Sequence, residues 1–200
     1  TITYQVQVTD GTATQTQDVT ITITGTDDEP VVSGTFTGAV TEGDPGDVAT
    51  AAGTLAISDV DGDDSPSFAD VASTAGDNGY GSFELAGGNW TYTLDQGAVQ
   101  DLDAGDTVTD TITITATDGT EQQLTVAITG TDDAPVVSGT FTGAVTEGDP
   151  GDVATVTGTL AISDVDGDDS PSFDDVASTV GDNGYGSFVL AGGNWTYTLD

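Results

Sequence analysis

Residues 81–95 read GSFELAGGNWTYTLD, and this stretch carries the clearest fold signal in the chain. Apolar and polar residues alternate on both sides of the AGG turn at 86–88, most clearly in Trp90, Tyr92 and Leu94. A period of two residues is typical of β-strands with one buried face. The glycine-rich turn favours an antiparallel pairing of the two strands. The stretch therefore predicts a β-hairpin whose aromatic residues face a core.

The same alternation recurs along the chain, mostly with Thr on the opposite face of each run. Thr is common on exposed faces of strands. No segment shows a comparable period of 3.6 residues. Roughly seven short strands in about 100 residues are typical of an antiparallel β-sandwich of the immunoglobulin type. The sequence therefore predicts an all-β fold, with further strands in the runs at 2–8, 19–23, 55–57, 112–116 and 124–128.

A long internal repeat divides the chain. Residues 25–95 and 130–200 are related by a shift of 105 residues and differ at six of 71 positions. Residues 1–24 resemble 111–129, with three extra residues after a shared DGT. A period of this length fits one small domain per repeat. We expect 1–24 to be the C-terminal strands of a preceding repeat, 25–129 a complete sandwich, and 130–200 an incomplete third repeat lacking its last strands.

The two ends of the chain suggest two further interpretations. The chain contains no Met, so we expect it to be a piece of a longer protein. Together, 1–24 and 130–200 hold one repeat without the stretch equivalent to 96–110. Either a long array has been divided at an arbitrary place, or the first strands of one chain complete the last sandwich of another.

The charge of the chain is entirely one-sided. It has 35 Asp and Glu residues and no Lys, Arg or His, for a formal net charge of -35. Without cationic side chains it cannot neutralise nucleic acid phosphates or anionic lipids. No apolar run approaches the roughly 18 residues of a membrane span. We therefore exclude nucleic acid as a partner and exclude membrane insertion.

The missing residue types also limit the chemistry. Without His and Cys the chain lacks the usual general base, the thiol nucleophile, the nitrogen and sulfur ligands of zinc, and disulfides. Paired carboxylates alone can hydrolyse glycosides. Here, however, the acids lie in turns that recur with the repeat. We therefore expect no catalytic residues and no enzyme activity. Oxygen ligands remain, and Ca²⁺ prefers them.

The acidic residues are concentrated in the linkers and turns between the predicted strands. They occur in GTDD at 25–28, SDVDGDD at 58–64, QDLDAGD at 100–106 and TDG at 117–119. Strand ends collect at the poles of a sandwich, so these segments can converge where repeats meet. Two like charges ~4 Å apart repel by about 4 kcal/mol at an effective dielectric of 20. A divalent cation among them is the simplest compensation.

The order of these motifs resembles the cadherin repeat. GTDD with its Pro, then VTEG, DVD, LDAGD and TITITATDG follow the family order of acidic linker, Glu, DxD, LDRE and xDxG segments. GYGSFELAGGNWTYTLD and QDLDAGDTVTDTITITATDG are similar to the VCBS repeat of large bacterial surface proteins and adhesins. The resemblance implies tandem cadherin-like sandwiches joined by short acidic linkers, in an extracellular protein of a bacterial surface, with calcium bound near the linkers.

The resemblance also implies a set of ligands at each linker. One set lies between the complete and the third repeat, and the other lies one repeat earlier. With their repeat equivalents, the candidate calcium ligands are Asp27, Asp28, Glu42, Asp59, Asp61, Asp63, Asp103, Asp106, Asp118, Asp132, Asp133, Glu147, Asp164, Asp166 and Asp168.

These observations predict a structural module. Calcium would stiffen the repeats into an extender, or tether, of an extracellular adhesin or surface filament. Its partners would be neighbouring repeats and other copies in a filament, while other parts of the parent protein would bind a host surface or polysaccharide.

Two alternatives remain open. The aromatic pairs Trp90–Tyr92 and Trp195–Tyr197 could instead serve a carbohydrate-binding module of a secreted protein. The acidic residues could be a solvated surface adapted to salty water, where salt screens their repulsion.

Overall fold

The structure is a computed structural model that describes residues 1–62 and 64–200. These residues form fifteen β-strands and one short 3₁₀ helix. The expected all-β architecture with cadherin-like sheets is confirmed. None of the described segments forms a helix long and apolar enough to cross a membrane.

Residues 1–24 contain a two-stranded hairpin of β1 (Ile2–Thr9) and β2 (Thr14–Ile21). Its turn is closed by Asp10, whose Oδ1 accepts hydrogen bonds from the backbone N–H groups of Ala13 at 2.7 Å and Thr12 at 2.9 Å. These bonds, the one from Ala13 first, lower the pKa of Asp10 to about 2. Every residue of both strands is exposed, including the apolar ones.

Residues 31–129 form two facing sheets. In chain order the strands are β3 (Val31–Gly34), β4 (Thr37–Thr41), β5 (Thr50–Ser58), β6 (Val71–Ala75), β7 (Gly81–Ala86), β8 (Asn89–Leu94), β9 (Thr107–Thr115) and β10 (Glu121–Thr129), and the 3₁₀ helix Gln96–Ala98 follows β8. One sheet has the order β3-β5-β8-β7-β6, and the other has the order β4-β10-β9.

One strand pair differs from the predicted antiparallel sandwich, because β4 runs parallel to β10, with Val40 opposite Ile128. The chain leaves the first sheet after Gly34, which adopts a φ of 136°. A Cβ there would lie within 2.0 Å of the Thr54 carbonyl oxygen, so only glycine fits this crossing. At this crossing the chain passes from one sheet to the other without reversing its direction. The alternation of apolar and polar residues does not reveal the direction of a strand.

The core between the two sheets is built around the predicted aromatic face. Trp90 and Tyr92 are completely buried, and the Phe83 ring lies 4.7 Å from that of Tyr92. Trp90 Nε1 donates a hydrogen bond to the Thr35 carbonyl at 2.6 Å. Alternate residues of β9 and β10, such as Ile128, close the core from the other side. In this repeat the aromatic pair is therefore core and offers no platform for a sugar.

A buried carboxylate lies at the end of this core. Asp110 on β9 is completely buried. It accepts hydrogen bonds from the backbone N–H groups of Asn78 and Tyr80 at 3.0 and 3.1 Å, and from the Tyr92 hydroxyl at 3.1 Å. A Cβ on Gly76 would clash with this carboxylate. Asp110 therefore fastens the turn after β6 to the second sheet.

Residues 136–199 form a single sheet of five strands. These are β11 (Val136–Gly139), β12 (Thr155–Ser163), β13 (Val176–Val180), β14 (Gly186–Ala191) and β15 (Asn194–Leu199). The order β11-β12-β15-β14-β13 repeats that of the first sheet of the preceding repeat. Among the described residues no second sheet covers it.

The Tyr92 hydroxyl should make the complete repeat sensitive to alkali. Burial and the neighbouring Asp110 raise the pKa of Tyr92 well above its ordinary value. The neutral Tyr92 side chain therefore stabilises the fold fully below about pH 10. At higher pH this stabilisation is lost, because Tyr92 ionises in the unfolded state before it ionises in the folded state. Between about pH 9 and pH 11, the free energy of unfolding should fall by about 1 kcal/mol less in the Tyr92→Phe variant than in the unaltered chain.

Urea unfolding followed by tryptophan fluorescence measures this difference. The chain has no Lys, Arg, His or Cys, but it has four tyrosines besides Tyr92, so each variant is compared with the unaltered chain. Tyr4→Phe, at an exposed position, is the matched control and should follow the unaltered chain. Equal losses in the Tyr92→Phe variant and the unaltered chain would contradict the assignment.

Candidate metal centres

Two clusters of three carboxylates occur at equivalent places in the two repeats. One contains Asp27, Asp61 and Asp64, and the other contains Asp132, Asp166 and Asp169. In each cluster one oxygen from every residue lies within 4.8 Å of the others. The first residue of each comes from the linker, and the other two come from the DVDGDD loop that follows β5 or β12.

The same hydrogen bonds shape both loops. Asp61 Oδ2 accepts from the backbone N–H of Asp28, and Asp166 Oδ2 accepts from that of Asp133, both at 2.7 Å. Within the second loop, the Asp166 N–H donates to Asp164 Oδ1 at 3.2 Å, and the first loop has the equivalent bond. The short Asp side chains bind nearby backbone, as they commonly do in turns. The loop is thereby fastened to the linker, with its remaining oxygens turned toward one another.

The second cluster lies where the complete repeat meets the third. Glu42, at the end of β4, is buried. Its Oε2 accepts from the Thr131 N–H at 3.1 Å, and its Oε1 accepts from Gln100 Nε2 at 2.9 Å. The Gly167 N–H of the third repeat donates to the Asp101 carbonyl at 3.2 Å. The two repeats are therefore joined directly through the linker and through the metal-candidate loop.

The carboxylates at this junction resist ionisation. Burial raises the pKa of Glu42, and repulsion from Asp133, Asp166 and Asp101 raises it further. Burial also raises the pKa of Asp133, with repulsion from Asp166 as the next cause. The pKa values of Asp103 and Asp169 are raised in the same way, with burial first and neighbouring carboxylates second. No side chain of the sequence can supply a compensating positive charge.

Two oxygens at this junction are buried without a hydrogen-bond partner, namely Asp166 Oδ1 and Asp133 Oδ2. Asp166 is only 3% exposed. Buried polar atoms in folded proteins nearly always have a partner, and buried charges are paired or coordinate a metal. All the atoms here that could bind a metal are carboxylate or carbonyl oxygens. This set of ligands fits Ca²⁺ and not a metal that prefers nitrogen or sulfur.

The structure brings many of the expected ligands together. Asp27, Asp61, Asp132 and Asp166 belong to the two clusters. Other expected residues border the clusters. The cleft that contains Asp27 and Asp64 is also lined by Asp28, Asp59 and Asp118. The second cluster is surrounded by residues that bond to it or repel it, namely Glu42, Asp103, Asp133, Asp164 and Asp168.

Two expected ligands are placed differently. Asp106 takes part in the junction through its backbone, because its carbonyl accepts from the Gly130 N–H at 3.0 Å. Glu147 is exposed and belongs to neither cluster found among the described residues. Asp63 lies outside the described residues.

Sequence reasoning missed Asp64 and Asp169. It selected every second residue of DVDGDD, whereas the clusters use the third and the last residue of this motif. In both loops the last Asp donates its backbone N–H to the carbonyl of the third residue, Asp64 to Asp61 at 3.1 Å and Asp169 to Asp166 at 3.3 Å, so a turn brings these two residues together. The two consecutive Asp residues at the end of DVDGDD were the signal that could have identified Asp64 and Asp169 as candidate ligands.

The model of the bacterial cadherin-like domain matches residues 27–130, just over half of the chain. This span contains the linker, both sheets of the complete repeat and the segment leading to the second cluster. The cadherin-like resemblance read from the motif order is confirmed. A search of the curated proteins finds no match.

Two solved structures are similar in part. One is the structure of a Ca²⁺-stabilized adhesin that helps an Antarctic bacterium reach out and bind ice. Its sequence is 17% identical, the match covers 98% of this chain and 48% of that chain, and the TM-score is 0.28. The other concerns host cell surface retention of a 1.5-MDa bacterial ice-binding adhesin, with 20% identity, 98% and 62% coverage, and a TM-score of 0.29. The chain spans about half and about three fifths of their lengths.

The bond between Asp133 and Asp166 predicts a specific pattern of amide exchange. In calcium-free buffer, Asp166→Ala removes the acceptor and should speed hydrogen exchange at the Asp133 amide about tenfold or more. Asp166→Asn keeps a side-chain oxygen that accepts the same bond, so it should retain most of the protection. The Asp28 amide, bonded to Asp61 in the same chain, is the internal control. Equal exchange in the two variants would contradict the geometry.

Proposed function

Because the chain belongs to the bacterial cadherin-like domain family, we propose that its repeats are calcium-stiffened extenders of an extracellular bacterial adhesin or surface filament. In this role the chain works mechanically. It holds a distance and a direction, while other parts of the parent protein bind the adhesive target. Its immediate partners are the neighbouring repeats.

The buried carboxylate of Asp166 is the observation that carries this proposal. It lies at a junction between repeats, with one oxygen fastened to the linker and the other without a partner. Burying an anion without compensation costs several kcal/mol. The same cluster recurs around half-buried Asp61 one repeat earlier, so it belongs to the linker of each repeat and is not one accidental loop.

Asp132, Asp166 and Asp169 would hold the ion at this junction, with Glu42 and Asp133 beside them. The ion supplies positive charge that no side chain can provide. The protein's own residues supply the connection: Asp132 belongs to the linker, Asp166 and Asp169 to the third repeat. Thr131 bonds to Glu42 of the complete repeat. Compensating these charges together removes the repulsion that drives the repeats apart.

The exposure of the cluster favours an extracellular setting. Calcium sites of extracellular modules work at roughly 10⁻⁴ to 10⁻³ M free ion, a range that suits clusters with partly exposed carboxylates. Asp132 and Asp169 are exposed, whereas Asp166 is buried. Such a site would be loaded outside the cell and empty in the presence of a chelator.

Calcium should change both the shape and the binding properties of the chain. Adding calcium to chelator-treated protein should increase the radius of gyration and narrow the distribution of distances in small-angle X-ray scattering. Calorimetry should show that Asp166→Asn weakens binding about tenfold or more at one class of site. The same variant should reduce the calcium-dependent extension.

The matched control is Asp174→Asn. Asp174 is an exposed acid of the third repeat, and Ala69 occupies its place in the complete repeat. This variant removes the same charge and should leave calcium binding and extension unchanged. A radius of gyration that does not respond to calcium would contradict the extender role. Equal effects of the two variants would show that the acids act only through their overall surface charge and not through a specific site.

A further inference from the structure

The chain enters and leaves the complete repeat at opposite poles. It enters through Pro30 into β3, where Val31 is opposite Ser58 at the end of β5. Strand β3 leads into β4 without a reversal of direction, and β4 runs parallel to β10. The repeat therefore begins at one pole with β3 and ends at the other pole with Thr129 of β10. A tether under tension is pulled at these two points.

The parallel pairing of β4 and β10 lies along the direction of that pull. Strand β4 pairs over its whole length with the last five residues of β10. The ladder continues at both ends, because the Thr125 N–H donates to the Phe36 carbonyl and the Glu42 N–H donates to the Thr129 carbonyl, both at 2.9 Å. Tension draws the start of β4 toward one pole and the end of β10 toward the other. The bonds of the ladder, which cross between the strands, then carry the load together and must fail together.

A close contact with the core opposes sliding of β4 along β10. A Cβ on Gly38 would lie 2.8 Å from Ala51 Cβ and 3.0 Å from Trp90 Cη2, so a side chain does not fit there. The smallest slip that keeps the same face of β4 toward the core is two residues. Such a slip would bring Phe36 or Val40 into the space of Gly38. The packing of Gly38 over Trp90 therefore locks the register of the strand.

The entering segment is also held on the first sheet. Strand β3 is antiparallel to β5, so tension loads this short ladder along its length as well. At the crossing, the Thr35 N–H donates to the Thr54 carbonyl at 2.8 Å, and the Thr35 carbonyl accepts from Trp90 Nε1 at 2.6 Å. Trp90 thus holds the segment at Thr35 and again at Gly38. Both sheets resist withdrawal of the first strands from the repeat.

The end of the β4–β10 ladder is continuous with the junction to the next repeat. The backbone N–H of Glu42 belongs to the ladder, and its carboxylate accepts from the Thr131 N–H at 3.1 Å. The neighbouring Gly130 N–H donates to the Asp106 carbonyl at 3.0 Å. Load that arrives through the linker therefore reaches Glu42 and the last bonds of the ladder directly.

We propose that residues 36–42 and 125–129 form the force-bearing clamp of the repeat, with Gly38 over Trp90 as its lock. The clamp deepens the extender role proposed above and rests on it only because an extender is pulled from its two ends. The clamp consists of backbone bonds and core packing, so it needs no metal. Calcium governs how neighbouring repeats are held, and the clamp governs the force at which a repeat opens.

Pulling in two directions tests the clamp. The chain has no Cys, so a pair of introduced Cys residues alone defines where force is applied. Glu29→Cys with Ala134→Cys places handles at exposed, equivalent positions of successive linkers and loads the clamp lengthwise. Val48→Cys with Ala134→Cys places both handles at the pole where β4 and β10 end, so the ladder opens one bond at a time. Val48 is 79% exposed, so this handle leaves the core intact.

Single-molecule force spectroscopy should give a severalfold higher rupture force for the lengthwise pair, both in calcium and in chelator. Forced unfolding measures the barrier to opening and not the equilibrium stability, so the direction of pull changes the result without changing the fold. Circular dichroism checks that both Cys pairs keep the strands of the unaltered chain.

A matched pair of core substitutions separates the clamp from general stability. Val40→Ala weakens the packing of β4 opposite Ile128 and should lower the lengthwise rupture force. Val71→Ala makes the same truncation on β6, an edge strand of the first sheet that carries no load, and Val71 packs against the same core. Urea unfolding measures the stability that each variant loses. Val71→Ala should leave the rupture force unchanged despite its loss of stability.

Three results would overturn the clamp. The first is an equal rupture force in the two directions, and the second is an equal loss of force in Val40→Ala and Val71→Ala. The third is a directional difference that disappears in chelator, because the load would then be carried by the metal junction. A radius of gyration that does not respond to calcium would overturn the extender role, while a directional rupture force measured on the same chain would still support the clamp.

Discussion

Repulsion among carboxylates that no cationic side chain can offset is the constraint on which the junction depends. Backbone N–H groups of Thr131 and Asp133 and the side-chain amide of Gln100 donate hydrogen bonds to Glu42 and Asp166. Both oxygens of Glu42 are bonded in this way, whereas Asp166 Oδ1 and Asp133 Oδ2 are buried without a partner. The fold therefore brings acids together more closely than its own donors support, and the raised pKa of Glu42 expresses that imbalance.

The rest of the repeat explains why this imbalance is held in place. Trp90 and Tyr92 bind the two sheets into one core, and Asp110 fastens the turn before β7 to β9. The acidic loops leave this framework at fixed points, so their separation is set by the sandwich. Where the described residues form no second sheet, Phe141 and Tyr185 are exposed, although their equivalents Phe36 and Tyr80 are partly buried against the core, so the core depends on strands distant in the chain.

The sequence predicted the repeat, the strands and the aromatic core, because period-two alternation around Trp90 reports which face of a strand is buried. It did not predict the parallel pairing of β4, since a strand's pattern does not record its direction. It also missed Asp110, which breaks the apolar alternation of β9 and is explained only by donors from a distant turn. Asp169 was missed because the spacing of acids within a loop does not determine which side each one faces.

A crystal of the chain grown in calcium, with anomalous diffraction recorded for the calcium signal, tests the central claim most directly. The account predicts anomalous peaks between Asp132, Asp166 and Asp169 and between Asp27, Asp61 and Asp64, each with oxygens at about 2.3–2.6 Å. Well-ordered junctions without such peaks, with the side chain of Asp166 turned out into solvent, would contradict it.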